Sequence, residues 1–392
     1  MNKRILYEPA GRIHSTQWRL INYPPAGYEF VLSNSSPGLS SILTQDFFWY
    51  NRRRMLESIV PLNLTYALYA SYLGKRHSVD AIYSYNHLVF REIPWFAFVE
   101  WFHVLVGRKI SHFKYYKNLI VRLLRNDYCR AIITWSELAK KAIIENYDDD
   151  KVQLKVHVVP LSVEPKNFNK KYDDTKVRLL FVGSPDSRTD FFHKGGLETI
   201  QAYSMVRKEF DNVELIVRAN VPDYIRVKYS GLPNLRIINN VLPRSVLERL
   251  FMTADVFVQP TYDTPFGAFL DAMSYELPIV TRDAFANSEI VSNGKTGILI
   301  KDSRRIPLFY DFNYAKYVYY GATPLRRASE KLMSEGDEVA VNELAKALIL
   351  LIERPNLRRL MGKRARLEVE KGKFSIDYRN NRLGKIFDES LS

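Results

Sequence analysis

The sequence predicts an α/β fold: two doubly wound domains, each a parallel sheet covered by helices, facing a cleft. Three observations carry that expectation. At 392 residues, the chain exceeds the roughly 250–300 residues at which a single hydrophobic core stops growing. Short apolar runs alternate with longer stretches of helical periodicity, as parallel strands do with their crossover helices. The stretch 164–176, EPKNFNKKYDDTK, is polar and aperiodic and divides those elements into two series.

In the first series, strands are expected at residues 4–7, 29–32, 81–83, 95–99, 131–134 and 156–159. Helical patterns fall between them, notably at 62–73 and 113–125. The second series opens with VRLLFVG at 177–183, a nearly continuous apolar run expected of a strand buried on both faces. Further strands are expected at 213–217, 235–238, 256–259, 279–281 and 297–300. Helices at 197–209, 245–252, 268–275, 339–352 and 356–370 separate or follow them. The predicted organisation is an N-terminal domain over 1–165, a linker over 166–176, and a C-terminal domain over 177–374. A closing helix over 375–392 is expected to pack back on the N-terminal domain. Sheets of this kind bind ligands at the carboxyl ends of their strands.

Composition narrows the class. Hydrophobic residues make up 46% and charged residues 26%, ordinary for a globular protein. Cys129 is the only cysteine, so no intrachain disulfide can form, and a reducing compartment fits. The opening MNKRILYEPAG reaches Glu8 and Pro9 before a signal-peptide core could form. The most apolar stretch, 93–106, contains Glu100 and His103 and falls short of the about 20 residues of a spanning helix. The expectation is a cytoplasmic protein, peripheral on the inner face of the membrane.

The net charge of +14 points to an anionic partner. Between Trp101 and Arg130 stand seven basic residues and one acid, Asp127. On a helix, Lys114, Lys117, Arg122 and Arg125 share one face, while Tyr116, Leu119, Ile120 and Leu123 share the other. Phe47-Phe48-Trp49-Tyr50, followed by Arg52-Arg53-Arg54, forms a second aromatic and basic cluster. Both suit an anionic membrane surface. No RNA-recognition, zinc-finger or helix-turn-helix signature is present, so nucleic acid is not expected as a partner.

The chemistry concentrates between Asp255 and Gly297. A buried strand ends at Pro260, a loop carries Asp263, and Pro265-Phe266-Gly267 opens a helix. Proline suits a helix start because its missing donor would be unpaired there. Free amides at that start, aligned with the positive end of the helix dipole, suit a phosphate. Asp271 lies eight residues beyond Asp263, about 12 Å of helical rise. That matches the span from sugar to ribose in a nucleotide-sugar.

This segment resembles the C-terminal signature of family 4 retaining glycosyltransferases, whose fold is GT-B with two Rossmann-like domains. The resemblance rests on Asp263, Phe266-Gly267, Asp271, Ala272-Met273, Pro278-Ile279, Glu289-Ile290-Val291 and Gly294 to Gly297. Upstream, Val182-Gly183 followed by Lys194-Gly195-Gly196 resembles the family's diphosphate-binding turn. Residues 134–137 and 158–163 resemble the strands before its interdomain linker. The match spans the C-terminal half and the second part of the N-terminal half.

The resemblance implies transfer of a hexose-type sugar, with retention of configuration, from a nucleotide-diphosphate-sugar to a glycan or lipid-linked acceptor. It implies that Asp263 sits by the transferred sugar, that Asp271 holds the ribose, and that Lys194 neutralises the diphosphate. Gly183, Ser184, Phe266, Gly267 and Ala268 fall with them on the donor side. No metal and no cofactor beyond the co-substrate is implied. The acids Asp148-Asp149-Asp150 read as a polar loop rather than a metal site.

The chain also departs from the pattern. Both acids are Asp where Glu is usual. Ser184 stands where the family has arginine, so Arg188 is the replacement offered by the loop. Glu276 stands where glycine is usual, in a backbone conformation that glycine accepts more readily. Residues 11–25 match the family's N-terminal glycine-rich turn poorly. On the acceptor side, His87 and Glu100 follow strand-like runs and are candidates to face the cleft. Competing readings are a nucleotide-sugar epimerase of the same architecture and a basic nucleic-acid-binding protein.

Overall fold

The run KRILYEP forms strand β1 (Lys3–Pro9), with Ile5, Leu6 and Tyr7 buried. It belongs to a six-stranded sheet with β2 (Tyr28–Leu32), β3 (Ala81–Tyr85), β4 (Trp95–Phe98), β5 (Cys129–Thr134) and β6 (Val156–Val158). The order is β2-β1-β3-β4-β5-β6 and every pairing is parallel. Among the described residues, the helices between these strands are α1 (Ser15–Asn22), α2 (Leu62–Leu73), α3 (Ile110–Arg125), α4 (Glu137–Tyr147) and α5 (Asp150–Leu154). This computed structural model describes residues 2–9, 13, 15–32, 59–73, 78–107, 110–173, 175–183, 188–301, 303, 310–311, 316–317 and 333–391. The aromatic and basic cluster at 47–54 and Ser184 lie outside them, as do the side chains of Arg108, Lys109 and Arg188.

The second sheet contains β7 (Val177–Val182), β8 (Val213–Arg218), β9 (Leu235–Ile238), β10 (Val256–Val258), β11 (Ile279–Arg282) and β12 (Gly297–Ile300). Its order is β12-β11-β10-β7-β8-β9, again parallel throughout. Its described helices are α6 (Arg188–His193), α7 (Gly196–Val206), α8 (Asp223–Lys228), α9 (Arg244–Thr253), α10 (Phe266–Ser274), α11 (Asn287–Ile290), α12 (Glu338–Glu353) and α13 (Pro355–Glu370). A last helix, α14 (Ile376–Leu391), follows.

The chain divides into two units: Met1–Ser162 with Asp311–Gly321 and Ile376–Ser392, and Val163–Tyr310 with Ala322–Ser375. The first core gathers Ile5, Tyr7, Tyr83, Phe96 and Ile133 with Leu383, Ile386 and Phe387 of α14. The Phe387 ring lies 4.5 Å from Phe96 and 5.0 Å from Tyr28, centre to centre. The second core packs Leu179, Phe181, Leu215 and Val217 against α7 and α12. On α12, Ala340, Leu344, Leu348 and Leu351 recur at helical spacing and are all buried.

The described residues of the polar stretch after Ser162 form no helix or strand, yet they are fastened within the second unit. Lys166 pairs with Glu248 at 3.0 Å, and Lys170 donates to the carbonyls of Ala254 and Tyr275. Arg366 donates to the carbonyls of Lys166 and Phe168. Glu276 does adopt the left-handed conformation, φ 61°, and its carboxylate accepts from Tyr172 and Arg366. These partners fix a side chain at a position that glycine would occupy more freely.

Candidate active site

In each sheet the connections reverse direction at one point, and such switch points open a crevice beyond the strand ends. In the second sheet, β7 continues to β8 on one side while β10 lies on the other. The two strand ends are tied together: the Gln259 side chain donates to the Val182 carbonyl at 2.6 Å. From β7 the chain runs through α6 to His193, Lys194 and Gly195. From β10 it runs through Pro260, Thr261 and Tyr262 to Asp263.

The glycines after Lys194 have a steric cause. Gly195 has φ +77°, and a Cβ there would stand 2.3 Å from the Pro260 carbonyl oxygen. A Cβ on Gly196 would stand 2.3 Å from the Phe191 ring. The missing side chain at Gly195 lets the two loops approach so closely, and the one at Gly196 lets Phe191 of α6 pack against the start of α7.

That approach brings Lys194 to Asp263. The ammonium lies 2.8 Å from each carboxylate oxygen. His193 Nε2 stands 3.2 Å from Oδ2, and the Thr261 hydroxyl donates to Oδ1 at 2.6 Å. Burial pushes the Asp263 carboxyl up, but Lys194 and His193 pull harder and hold it well below the usual carboxylate range. Asp263 is therefore an anion throughout the neutral range. With 36% of its side chain exposed, it keeps one side open to a ligand.

The cluster rests on a second, buried group. Arg282, at the end of β11, has no exposure. Its Nε donates to the Pro260 carbonyl at 2.8 Å, and its terminal nitrogens donate to Glu198, Asp337 and the Tyr262 hydroxyl.

Past Asp263, α10 starts at Phe266 behind Pro265, with no side-chain cap. Gly267 and Ala268 stand in its first turn, partly exposed, where backbone amides have no partner within the helix. A Cβ on Gly267 would meet nothing within 4 Å. The Phe266 side chain, named above with the donor-side residues, is 3% exposed. It packs in the core because it lies on the inward face of the first turn, so it offers a ligand only its backbone. Asp271 is on the same helix, partly exposed and eight residues beyond Asp263. Gly183 directly follows β7, and its carbonyl accepts from Arg218 of β8 at 2.9 Å.

Lys194 and Asp263 are thus joined directly, and Asp271 lies farther along α10, the helix that begins beside them. Residues that the sequence reading did not name also meet here: His193 and Thr261 on the carboxylate, and Arg218 and Arg282 beneath the loops. His193 is adjacent to Lys194 in sequence, which was the one available signal. The two arginines reach the site only through strand pairing.

Residues 169–307 match the family described as Glycosyl transferases group 1. The fold is GT-B. It is shared with Anabaena HepE, at a TM-score of 0.59 and 14% identity over 99% of this chain and 100% of that one. Sucrose-phosphate synthase from Thermosynechococcus elongatus gives 0.62 and 14% over 99% of both chains. Staphylococcus aureus TarM gives 0.56 and 14% over 83% of this chain, which spans 58% of TarM's length. No curated protein matches in sequence.

The first unit of this GT-B chain corrects one expectation. His87 has no exposure, and its ring nitrogens lie 2.9 Å from the carbonyl oxygens of Leu88 and Glu8. Burial lowers its pKa. It braces the turn after β3 and does not face an acceptor. Glu100 is partly exposed at the end of β4 and clamps Asn86, which has φ 61°. The Asn86 amide donates to Glu100 Oε2, and the Glu100 amide donates to Asn86 Oδ1, both at 3.0 Å.

On α3, Lys114, Arg122 and Arg125 are exposed and Lys117 is partly so. Tyr115 beside them is 82% exposed, while Phe113, Ile120 and Leu124 are buried. Arg125 has an acidic neighbour from outside the helix, Asp149, at 3.5 Å. The acids at 148–150 are helix-end residues. Asp148 closes α4 with φ 53°, Asp149 caps α5 by accepting from Val152, and Asp150 opens α5. Among the described residues, no group of three or more potential metal ligands comes together. None of the described helices is long and apolar enough to cross a membrane.

Proposed function

We propose that this protein is a retaining glycosyltransferase that moves a hexose-type sugar from a nucleotide-diphosphate-sugar to a glycan or lipid-linked acceptor. The observation that carries the reading is the Lys194–Asp263 pair, 2.8 Å apart at the switch point of the second sheet. A permanently anionic, half-open carboxylate suits a neighbour of the sugar carbon, where positive charge builds as the bond to the diphosphate breaks. An ammonium has three donors, so Lys194 can keep Asp263 and also take a phosphate oxygen. Together with the first-turn amides of Gly267 and Ala268, it would stabilise the departing diphosphate. Asp271 would hold the ribose.

HepE binds UDP-glucose and UDP, which makes uridine donors the first to test. WaaG, involved in lipopolysaccharide biosynthesis, supports a lipid-linked acceptor; it shares the fold at a TM-score of 0.55, 12% identity, and 98% coverage of this chain. The basic face of α3 would hold the protein on anionic lipid at the inner face of the membrane. Activity is expected to survive chelation.

Asp263→Asn is the decisive variant, because it is isosteric and removes the negative charge. It should nearly abolish transfer; more than about a tenth of wild-type rate, less than about 1.4 kcal/mol of barrier, would overturn the assignment. Lys194→Ala should lose affinity for nucleoside diphosphate far more than for the nucleoside, measured by calorimetry. Equal losses would place the lysine elsewhere.

A further inference from the structure

Beneath the Lys194–Asp263 pair lies a buried ionic cluster that the proposed chemistry does not itself use. Arg282 and Glu198 have no exposure, and Asp337 and Tyr262 have under a tenth. The guanidinium donates to four acceptors: the Pro260 carbonyl at 2.8 Å, Glu198 at 2.8 Å, the Tyr262 hydroxyl at 2.7 Å and Asp337 at 3.1 Å. Its carbon stands 4.0 Å from the centre of the Tyr262 ring. The Tyr262 hydroxyl in turn donates to Glu198 at 2.6 Å.

These acceptors belong to the segments that carry the site. Tyr262 immediately precedes Asp263, and its amide donates to the His193 carbonyl at 3.0 Å. Glu198 lies in the first turn of α7, four residues past Lys194. The Pro260 carbonyl that accepts from Arg282 is the one against which Gly195 is pressed. Asp337 caps α12 through the Ala340 amide. One guanidinium therefore joins the loop bearing Asp263 to the helix start following Lys194, with α12 as an anchor.

Stability alone does not call for this arrangement. A well-packed apolar cluster of equal volume is often as stable as a buried ion pair or more so. What apolar side chains cannot supply is direction, whereas a planar fork with five donors fixes several acceptors at set angles.

We infer that Arg282, with Glu198 and Tyr262, is a positioning device that sets the separation of Lys194 and Asp263 for transfer. The inference rests on the function proposed above. Displacement of reacting groups by about 1 Å can cost on the order of a hundredfold in rate. Arg282→Lys keeps the charge but loses the fork. It should lower kcat by about that factor while the donor KM and nucleoside binding stay near wild type.

Tyr262→Phe is the milder variant, removing only the hydroxyl shared by Arg282 and Glu198. It should lower kcat about tenfold, on the order of one lost hydrogen bond to a charged group, at temperatures well below its melting point. It decides the question if Arg282→Lys fails to fold. Assays of Asp263→Asn alongside separate the two ideas. If Asp263→Asn is inactive while Tyr262→Phe or a folded Arg282→Lys keeps wild-type kcat, the positioning role is overturned and the site stands. The same holds if KM and nucleoside binding deteriorate as much as kcat, since that is general damage. An active Asp263→Asn would instead overturn the site itself.

Discussion

Gly195 shows how one residue can fix a loop. Alanine there would be strained twice, by φ +77° and by a Cβ placed 2.3 Å from the Pro260 carbonyl. Strain of this kind costs about 1–3 kcal/mol even before the clash is counted. Gly195→Ala should lower the melting temperature of the second unit and reduce transfer more steeply than stability, since the displaced loop carries Asp263. Gly267→Ala, with open space around it, should leave the melting temperature nearly unchanged.

His87 gives a pH dependence in the first unit. Its folded pKa is lowered by burial, so between that value and about 6.5 the unfolded ring binds a proton that the folded one resists. Stability is present above that window and falls as pH drops through it. Cys129 reports on this, because it is fully buried and burial pushes its thiol up to about 12, so it should react with an alkylating reagent only on opening. The urea midpoint of Cys129 labelling should fall from pH 7.5 to pH 5.5, and His87→Gln should flatten that slope. Asp263 and Asp271 could be singled out in the sequence from the loop and the helix that follows it, whereas Lys194 was marked only by the family resemblance. The burial of His87 could not be read there, because a strand end looks the same whether its side chain faces a ligand or the core.

The elements of the two sheets follow the hydrophobic pattern closely, as 62–73, 235–238 and 297–300 illustrate. Helices α6, α8 and α11 left no periodic signal, since four to six residues barely exceed one turn. Strand order was not legible either: β10 lies beside β7 although two strands, β8 and β9, and the helices α6 to α9 come between them in sequence. That pairing is what brings Asp263 to Lys194. Among the helices, α14 makes the sharpest prediction. It buries Leu383, Ile386 and Phe387 in the first core, and each such side chain contributes about 1.5–3 kcal/mol. Against a typical domain stability of about 5–15 kcal/mol, a chain ending before Ile376 should lose its protected Cys129, as measured by thiol labelling in buffer.

For the molecule as a whole, the excess of positive charge is the property to test. If the basic face of α3 serves the proposed membrane role, each charge near anionic lipid contributes about 1 kcal/mol. Arg125, already beside Asp149, should contribute least. Reversing Lys114, Lys117, Arg122 and Arg125 to Glu should release the protein from anionic vesicles in co-sedimentation and spare transfer to a soluble acceptor. Salt should act in the same direction, since screening limits exposed charge to about 8 Å at physiological ionic strength. A wild type that fails to pellet at low salt would make this face a solvated surface.

The place of α14 in the first unit also bears on how the chain is made. Synthesis delivers residues 1–162 first, then the whole of the second unit's strands, and only afterwards the residues of α14. Domains usually fold in the order in which they emerge from the ribosome. Here the half that emerges first lacks Leu383, Ile386 and Phe387 until the end, so it is the later half to be completed. A nascent chain arrested near residue 375 would present a finished second sheet and an open first one. That interval, and not the mature protein, is when the aromatic surface around Phe96 and Tyr28 would be available to chaperones.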